Sequence, residues 1–236
     1  MIMTYEKRSD GRRFDELRPI DAKVGVIPRA VGSAWFKIGK TEAYAAVYGP
    51  RELYPKFLQD PLKGFLRCHY NMMPFSGSGE RVRPGSNRRA KEISLVMERA
   101  LRPVVDLSQF PNAVVDVFVE LPQTDAGTRC AGICAASMAL ADAGIPMRDL
   151  VCAVSAGKVE DKIILDLMYD EDSAEEGVDI PIAMLANSKE ISLLQMDGMI
   201  TKEELMKAIG LAKKAVDEIY DVQKVALKER FDIAAH

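Results

Sequence analysis

Residues 113–146, AVVDVFVELPQTDAGTRCAGICAASMALADAGIP, pass from a strand pattern directly into a helix pattern, and this junction constrains the fold more than any other stretch. Val115, Val117, Val119 and Leu121 alternate with a second face that carries Asp116 and Glu120, which is the period of a strand. After RCAGICAASMALADAG come Gly144 and Pro146, residues expected just beyond a helix end. The loop TDAGTR therefore delivers the backbone from a strand end into the start of a helix built of small residues. A helix start offers unpaired backbone N–H groups and partial positive charge. Gly127 lets an anion approach that backbone, Thr128 adds a hydroxyl donor and Arg129 a guanidinium. Taken alone, the loop has two readings, a phosphate cradle and a tight turn with Thr128 as a simple N-cap. It matches neither the P-loop nor GxGxxG, which disfavours a nucleotide kinase or a dehydrogenase.

The strands around it come in pairs. Residues 32–50 read as two strands about a tight turn at Gly39-Lys40, residues 151–169 repeat the pattern about Glu160-Asp161, and residues 180–196 do so about Asn187 to Lys189. Helical stretches fall at about 87–102 and 129–143, separated by the strand at 114–121. A last long helix opens with a capping box, Thr201 to Glu204, and carries Leu205, Ile209, Ala212, Val216, Ile219 and Val222 at helical spacing, a stripe expected to cover a sheet. Hairpin strands with helices packed over them give an α+β, or mixed α/β, domain rather than a doubly wound nucleotide fold. No low-complexity linker divides the chain, so residues 1–236 are expected to form one domain with two similar halves. The richest loop is FSGSGERVRPGSN, 75–87, a mobile or substrate-facing segment by its Gly, Ser and Pro content.

Composition bounds the partners. With 48% hydrophobic residues the 236-residue chain can fill a core. A net charge of -3 argues against general coating of nucleic acid and leaves room for local patches. No apolar run reaches membrane-spanning length and the N-terminus MIMTYEKRSDGRR lacks a secretory apolar segment, so no membrane partner and a cytoplasmic location are expected. Cys68, Cys130, Cys134 and Cys152 show no CxxC pair, and only His69 and His236 are available to complete a mixed zinc site; buried free thiols are the expectation.

A second cationic cluster, Arg88, Arg89 and Lys91, opens the helix RRAKEISLVMERALRPVV, where the helix dipole disfavours positive side chains by up to about 1 kcal/mol each. A bound anion would relieve that conflict; solvated ends partly balanced by Glu92 are the alternative for any single one. Two such clusters in one chain favour phosphate or phosphodiester binding. An acidic counterpart, DEDSAEEGVD, 170–179, holds Asp170, Glu171, Asp172, Glu175, Glu176 and Asp179. Carboxylates combined with phosphate-binding cations can hold Mg²⁺ or supply a general acid.

These segments together resemble the RNase PH family of phosphorolytic exoribonucleases, in the branch that forms catalytic subunits of archaeal exosomes. The resemblance runs through RSDGRRFDELRPI (8–20), YGPRE (48–52), LRCHYNMMPFS (66–76), NRRAKEISLVMERAL (87–101), QTDAGTRCAGICAASMALADAGIP (123–146), LDLMYDEDSAEEGVDIPIAM (165–184) and LLQMDGMIT (193–201). It implies an RNase PH fold of βαβα units, related to the second domain of a ribosomal protein, assembled into a hexameric ring. It also implies inorganic phosphate as co-substrate, attacking the terminal 3′ phosphodiester of single-stranded RNA to release nucleoside diphosphates, with a reverse reaction that adds tails. Matched to the family's motifs, Arg89, Gly127, Thr128 and Arg129 hold the phosphate, and Asp172 and Asp179 act at a Mg²⁺ or Mn²⁺ ion or as general acid. Arg67, with His69 where the family often has a second arginine, and Arg81, Arg83 and Arg88 track the RNA. The implied partners are a homologous inactive subunit alternating in the ring and RNA-binding cap subunits. Two departures stand out: Ala126 replaces the first of two family glycines, and the loop from Asp172 to Asp179 is one residue longer. The alternatives are a bacterial-type homohexamer trimming tRNA 3′ ends, a catalytically silent RNA-binding ring scaffold, and a phosphate-binding metabolic enzyme without RNA.

Overall fold

The strand β5 (Ala113–Gln123) and the helix α2 (Thr128–Asp142) that follows it form the centre of the molecule. They belong to a computed structural model that describes residues 5, 7–78, 82–83, 85, 87–174 and 177–232. β5 lies in a five-stranded sheet with β1 (Ile20–Val24), β2 (Gly32–Ile38), β3 (Thr41–Glu52) and β4 (Phe65–Met72), in the order β1-β2-β3-β5-β4. All neighbours are antiparallel except β4 and β5, which run parallel and are joined by the helix α1 (Arg88–Leu101). A second, antiparallel sheet of β6 (Val151–Val159), β7 (Lys162–Leu165), β8 (Val178–Leu185) and β9 (Ile191–Leu194) has the order β7-β6-β8-β9.

The small residues of α2 have a packing reason. The helix touches β2, β3 and β5 on one side and β6 and β8 on the other. A helix between two sheets must be apolar around its whole circumference, and Cys130 through Leu140 are all buried. Ala and Gly let the sheets come close. Gly32 of β2 shows how close, because a Cβ there would sit 2.2 Å from the Ala143 nitrogen and 2.5 Å from the Ala139 carbonyl oxygen. The larger residues fill what remains: Ile133, Met138 and Leu140 are fully buried, and each contributes roughly 1.5–3 kcal/mol. One continuous apolar cluster joins Val117 and Val119 of the first sheet, α2, and Val154 and Ile182 of the second.

The three expected hairpins are present, as are the helices at 88–101 and 128–142. The last helix, α4 (Lys202–Asp232), opens with the capping box: Glu204 N–H donates to Thr201 Oγ1 at 3.3 Å and Thr201 N–H to Glu204 Oε2 at 2.9 Å. Its stripe packs on β6 and β1, with Ala212, Val216 and Ile219 buried and Leu205, Ile209 and Val222 partly so. The four cysteines are free and buried, and no helix among the described residues is long and apolar enough to cross a membrane.

One local reading is corrected and two are refined. Thr128 is not the N-cap of α2; Gly127 is, in the left-handed region at φ 64°, and Thr128 is the first helical residue. Asp116 sits on the polar side of β5 as the alternation requires, yet it is wholly buried, because Arg51 from β3 and Arg67 from β4 close over it and both bond its carboxylate. The acidic run is not a uniform loop either. Asp170, Glu171 and Asp172 fall in a short helix, α3 (Tyr169–Asp172), and Glu171 is buried against Arg8. Glu175 and Glu176 lie outside the described residues, as do Arg81 and His236.

Candidate active site

The start of α2 opens onto a cavity of about 220 Å³ lined by Arg89, Gly127, Thr128, Arg129, Asp172 and Asp179. These are the six residues singled out for phosphate and metal chemistry, and they come from four separate elements: α1, α2 with its cap, α3 and β8. An adjoining cavity of about 420 Å³ shares Arg89, Arg129, Asp172 and Asp179 and adds Glu92, Gln195 and Asp197.

Each side chain is aimed by its element. The first intrahelical bond of α2 joins Ala131 N–H to the Gly127 carbonyl at 3.0 Å. The N–H groups of Thr128, Arg129 and Cys130 therefore have no helical acceptor and face the cavity end of the helix dipole. Ahead of them, Ala126 and Gly127 both adopt positive φ, 54° and 64°, so the chain turns sharply from β5 into the helix. Thr41 braces that turn by donating its hydroxyl to the Ala126 carbonyl at 2.7 Å and accepting from Asp125 N–H at 2.8 Å. Arg89 sits in the first turn of α1, which Asn87 caps by accepting from Ala90 N–H at 2.8 Å, and no acidic residue shares that turn. Arg129 donates one Nη1 bond to Gln195 Oε1 at 2.6 Å, leaving its other N–H groups for a ligand.

The two carboxylates are held differently. Asp179 lies on β8, accepts from the Ser155 hydroxyl, and forms a two-way backbone bridge with Asp197, at 3.2 and 3.0 Å. Asp172 ends α3, whose position is fixed by the neighbouring Glu171: its carboxylate takes Arg8 Nε at 2.8 Å and Nη2 at 2.7 Å and the Tyr5 hydroxyl at 2.8 Å. Burial raises the pKa of Asp179 above its ordinary value, against the Ser155 hydrogen bond and with help from the charge of Asp172. Burial also raises Asp172, while Arg89 and Arg129 pull it down. The four charged groups thus share one electrostatic unit. Two carboxylates held at raised pKa beside two arginines are suited to take up a proton or a divalent cation.

The residues expected to touch RNA lie elsewhere. Arg67 and His69, on β4, line a separate groove between that strand and α1, together with Lys91 and Ser94. His69 stacks on Phe118 with ring centroids 4.5 Å apart. Arg67 and Arg51 share the single buried carboxylate of Asp116, so the pair keeps a net positive charge at the surface. Arg88 and Arg83 are exposed and are not among the residues lining these cavities.

Ser155, Gln195, Asp197 and Tyr169 were not singled out from the sequence. A serine inside the apolar run VCAVSAGKV is a visible signal for Ser155, since a polar side chain in a buried strand needs a partner. Gln195 and Asp197 carry no such signal, because only the β8–β9 pairing brings them to the cavity.

Two family models match the chain: "3' exoribonuclease family, domain 1" over residues 16–146 and "3' exoribonuclease family, domain 2" over residues 149–215. Among named proteins, the chain is 54% identical to an exosome complex component Rrp41 of Pyrococcus furiosus, over 95% of this chain and 89% of that protein. It is 52% identical to the protein of that name from Methanopyrus kandleri, over 95% and 93% of the two chains. Among solved structures, rice Rrp46 superposes with a TM-score of 0.83 at 26% identity, covering 94% of this chain and 100% of the other. A chain of the Archaeoglobus fulgidus exosome with RNA bound to the active site superposes at 0.78 and 24% identity, covering 92% of each, and carries the likeness of fold alone.

Proposed function

Since the chain belongs to the RNase PH family of 3′ exoribonucleases, we propose that it shortens single-stranded RNA from the 3′ end by phosphorolysis, as a catalytic ring subunit of an archaeal-type exosome. The observation that carries this reading is the convergence of Arg89, Arg129 and the free N–H groups at the start of α2 on one cavity that also holds Asp172 and Asp179.

In this reading inorganic phosphate sits against Arg89, Thr128, Arg129 and the α2 N-terminus, where fixed donors offset its charge without reorganising. One phosphate oxygen forms a bond to the phosphorus of the last phosphodiester. The bond from that phosphorus to the 3′ oxygen of the preceding nucleotide breaks, and the 3′ oxygen takes a proton. The products are a nucleoside diphosphate and RNA one residue shorter. A phosphodiester is exchanged for a phosphoanhydride, so high nucleoside diphosphate drives tail addition at the same site.

Asp172 and Asp179 serve at the leaving oxygen, where a carboxyl with a raised pKa is the better proton donor at neutral pH. The described residues contain no group of three or more metal-ligating side chains. A pair of carboxylates fits Mg²⁺ or Mn²⁺, which keep most of their coordination for water and substrate phosphate oxygens. When bound there, such an ion supplies neutralisation of the charge that develops during transfer. Arg67, Arg88 and Arg83 track the RNA backbone outside the cavity.

The similarity to exosome components supports a ring in which this chain alternates with a homologous inactive subunit, with RNA-binding cap subunits above it, and a cytoplasmic location follows. The test uses 5′-labelled oligo(A), Mg²⁺, and the chain alone or with its partner subunit, with and without phosphate. Phosphate-dependent shortening with nucleoside diphosphate as product is expected. Nucleoside monophosphate release without phosphate would replace phosphorolysis by hydrolysis, and RNA binding with no shortening would make the chain a scaffold. Activity of a homohexamer of this chain alone would favour the tRNA-trimming type of enzyme.

A further inference from the structure

Behind the phosphate end of the candidate site lies a buried tyrosine whose hydroxyl makes no hydrogen bond of ordinary geometry. Tyr70 belongs to β4 and pairs with Val119 of β5; its backbone N–H is satisfied by Ser94 Oγ at 2.9 Å. The side chain is only 4% exposed, yet its hydroxyl oxygen, fully removed from solvent, makes no hydrogen bond of ordinary geometry, although the Thr128 hydroxyl lies beside it. An unsatisfied buried hydroxyl is destabilising, and a phenylalanine would fill the same space without that cost.

Of the groups that act on the hydroxyl, Thr128 is within hydrogen-bonding reach, while Arg89, Arg129 and Cys130 act on it through space by their charge. Both guanidiniums can only donate, and a thiol is a weak acceptor. Thr128 Oγ is therefore the acceptor in this group suited to the tyrosine proton. Thr128 is the first residue of α2, is itself 7% exposed, and lines the cavity. Its hydroxyl has one proton to give. If that proton turned inward to the tyrosine oxygen, none would be left for a bound anion. Burial keeps the Tyr70 phenol protonated by raising its pKa, so it remains a donor at neutral pH.

We propose that Tyr70 is a positioning residue for phosphate: when the anion binds, its O–H donates to Thr128 Oγ, which turns the Thr128 proton outward as a fixed donor to the anion in the cavity. The inference rests on the phosphate-binding reading of this cavity and adds a residue outside its lining. It also gives the buried hydroxyl a use that packing alone does not, since the ring contributes its apolar area with or without the oxygen.

The experiment compares wild type with Tyr70→Phe, Thr128→Val and the double variant in the assembled complex. Inorganic phosphate binding is titrated by calorimetry, and KM for phosphate and for oligo(A) are measured separately. Tyr70→Phe is expected to weaken phosphate binding about ten-fold, as loss of an ordered bond to a charged ligand does, with KM for RNA unchanged and melting temperature equal or higher. In the Thr128→Val background the same change is expected to have no further effect, and Thr128→Ser is expected to restore sensitivity to Tyr70→Phe. Equal phosphate affinity in wild type and Tyr70→Phe overturns the proposal, as does a ten-fold loss that persists without the Thr128 hydroxyl. The calorimetric arm separates the two readings: phosphate bound in a Tyr70-dependent way without phosphorolysis rejects the proposed reaction and keeps this inference. Phosphorolysis indifferent to Tyr70 does the reverse. No phosphate binding by wild type rejects both.

Discussion

Arg18 and Asp166 form a buried ion pair, with Arg18 Nε 2.8 Å from Asp166 Oδ2 and Nη2 2.7 Å from Oδ1, and both side chains are almost wholly enclosed. The same guanidinium donates to the Asp125 carbonyl, and the Asp125 carboxylate accepts from Tyr169 N–H at 3.2 Å. One arginine thereby ties the turn before α2 to the segment that carries Asp172. Its carboxylate surroundings also explain why Arg18 stays charged: burial works against the charge, and the hydrogen bond to Asp166 together with the attraction of Asp166, Asp125 and Glu171 outweighs it.

Replacing Arg18 by Ala would leave Asp166 charged and buried without its principal partner, a situation that costs about 3–5 kcal/mol. We expect a loss of that size in chemical denaturation. Asp166→Asn should cost less, because Arg18 keeps a neutral acceptor there and still has the Asp125 carboxylate 3.9 Å away. A wild-type midpoint for Arg18→Ala would show that the clamp carries no stability.

Arg89 is exposed, has no carboxylate partner within bonding distance among the ion pairs of the described residues, and lines both cavities. Arg89→Ala should therefore melt as wild type does while losing on the order of 10²–10³ in rate, in both RNA shortening and tail addition. Retained activity would remove Arg89 from the site.

Asp179→Asn should inactivate the enzyme and stabilise the fold at neutral pH. The raised pKa of Asp179 means that the folded state holds its proton more tightly than the unfolded state. The stability so gained is fully present below the ordinary aspartate pKa and is lost as pH rises through the raised folded value. The amide is free of that loss, so the variant and wild type should converge in acid and separate toward neutral pH. Thermal melts from pH 3 to 8 read this directly. Mg²⁺ should raise the melting temperature of wild type and leave that of Asp179→Asn unchanged, by the linkage of binding to stability.

Ala126 adopts φ 54°, a conformation that L residues other than glycine reach only at a cost of roughly 1–2 kcal/mol. Its glycine variant should gain about 1 kcal/mol after allowance for the greater freedom of the unfolded chain. The gain should appear as a higher denaturation midpoint with activity unchanged, because the backbone path into α2 stays the same. A loss of stability would mean that the Ala126 methyl makes contacts worth more than the strain.

The local elements and their ends are legible in the chain alone. Alternation marked β5, the turn residues marked three hairpins, and the Thr201–Glu204 box marked the start of α4, because each of these depends on neighbours within one turn or one strand. Family resemblance then picked out Arg89, Gly127, Thr128, Arg129, Asp172 and Asp179, and the fold gathers all six around one cavity. Which polar groups lose their water, and what they meet, depends instead on how the elements pack. Asp116 lies on a strand's polar face yet is sealed by two arginines from other strands. Glu171, one of six carboxylates in an acidic run, is drawn inside by Arg8, while its neighbour Asp172 faces the arginines of the site. Tyr70 looks like an ordinary strand aromatic until its hydroxyl is found buried beside Thr128. A residue's periodicity fixes which face it occupies, but desolvation and charge pairing depend on chain segments that can be more than a hundred residues away, and packing alone brings them together.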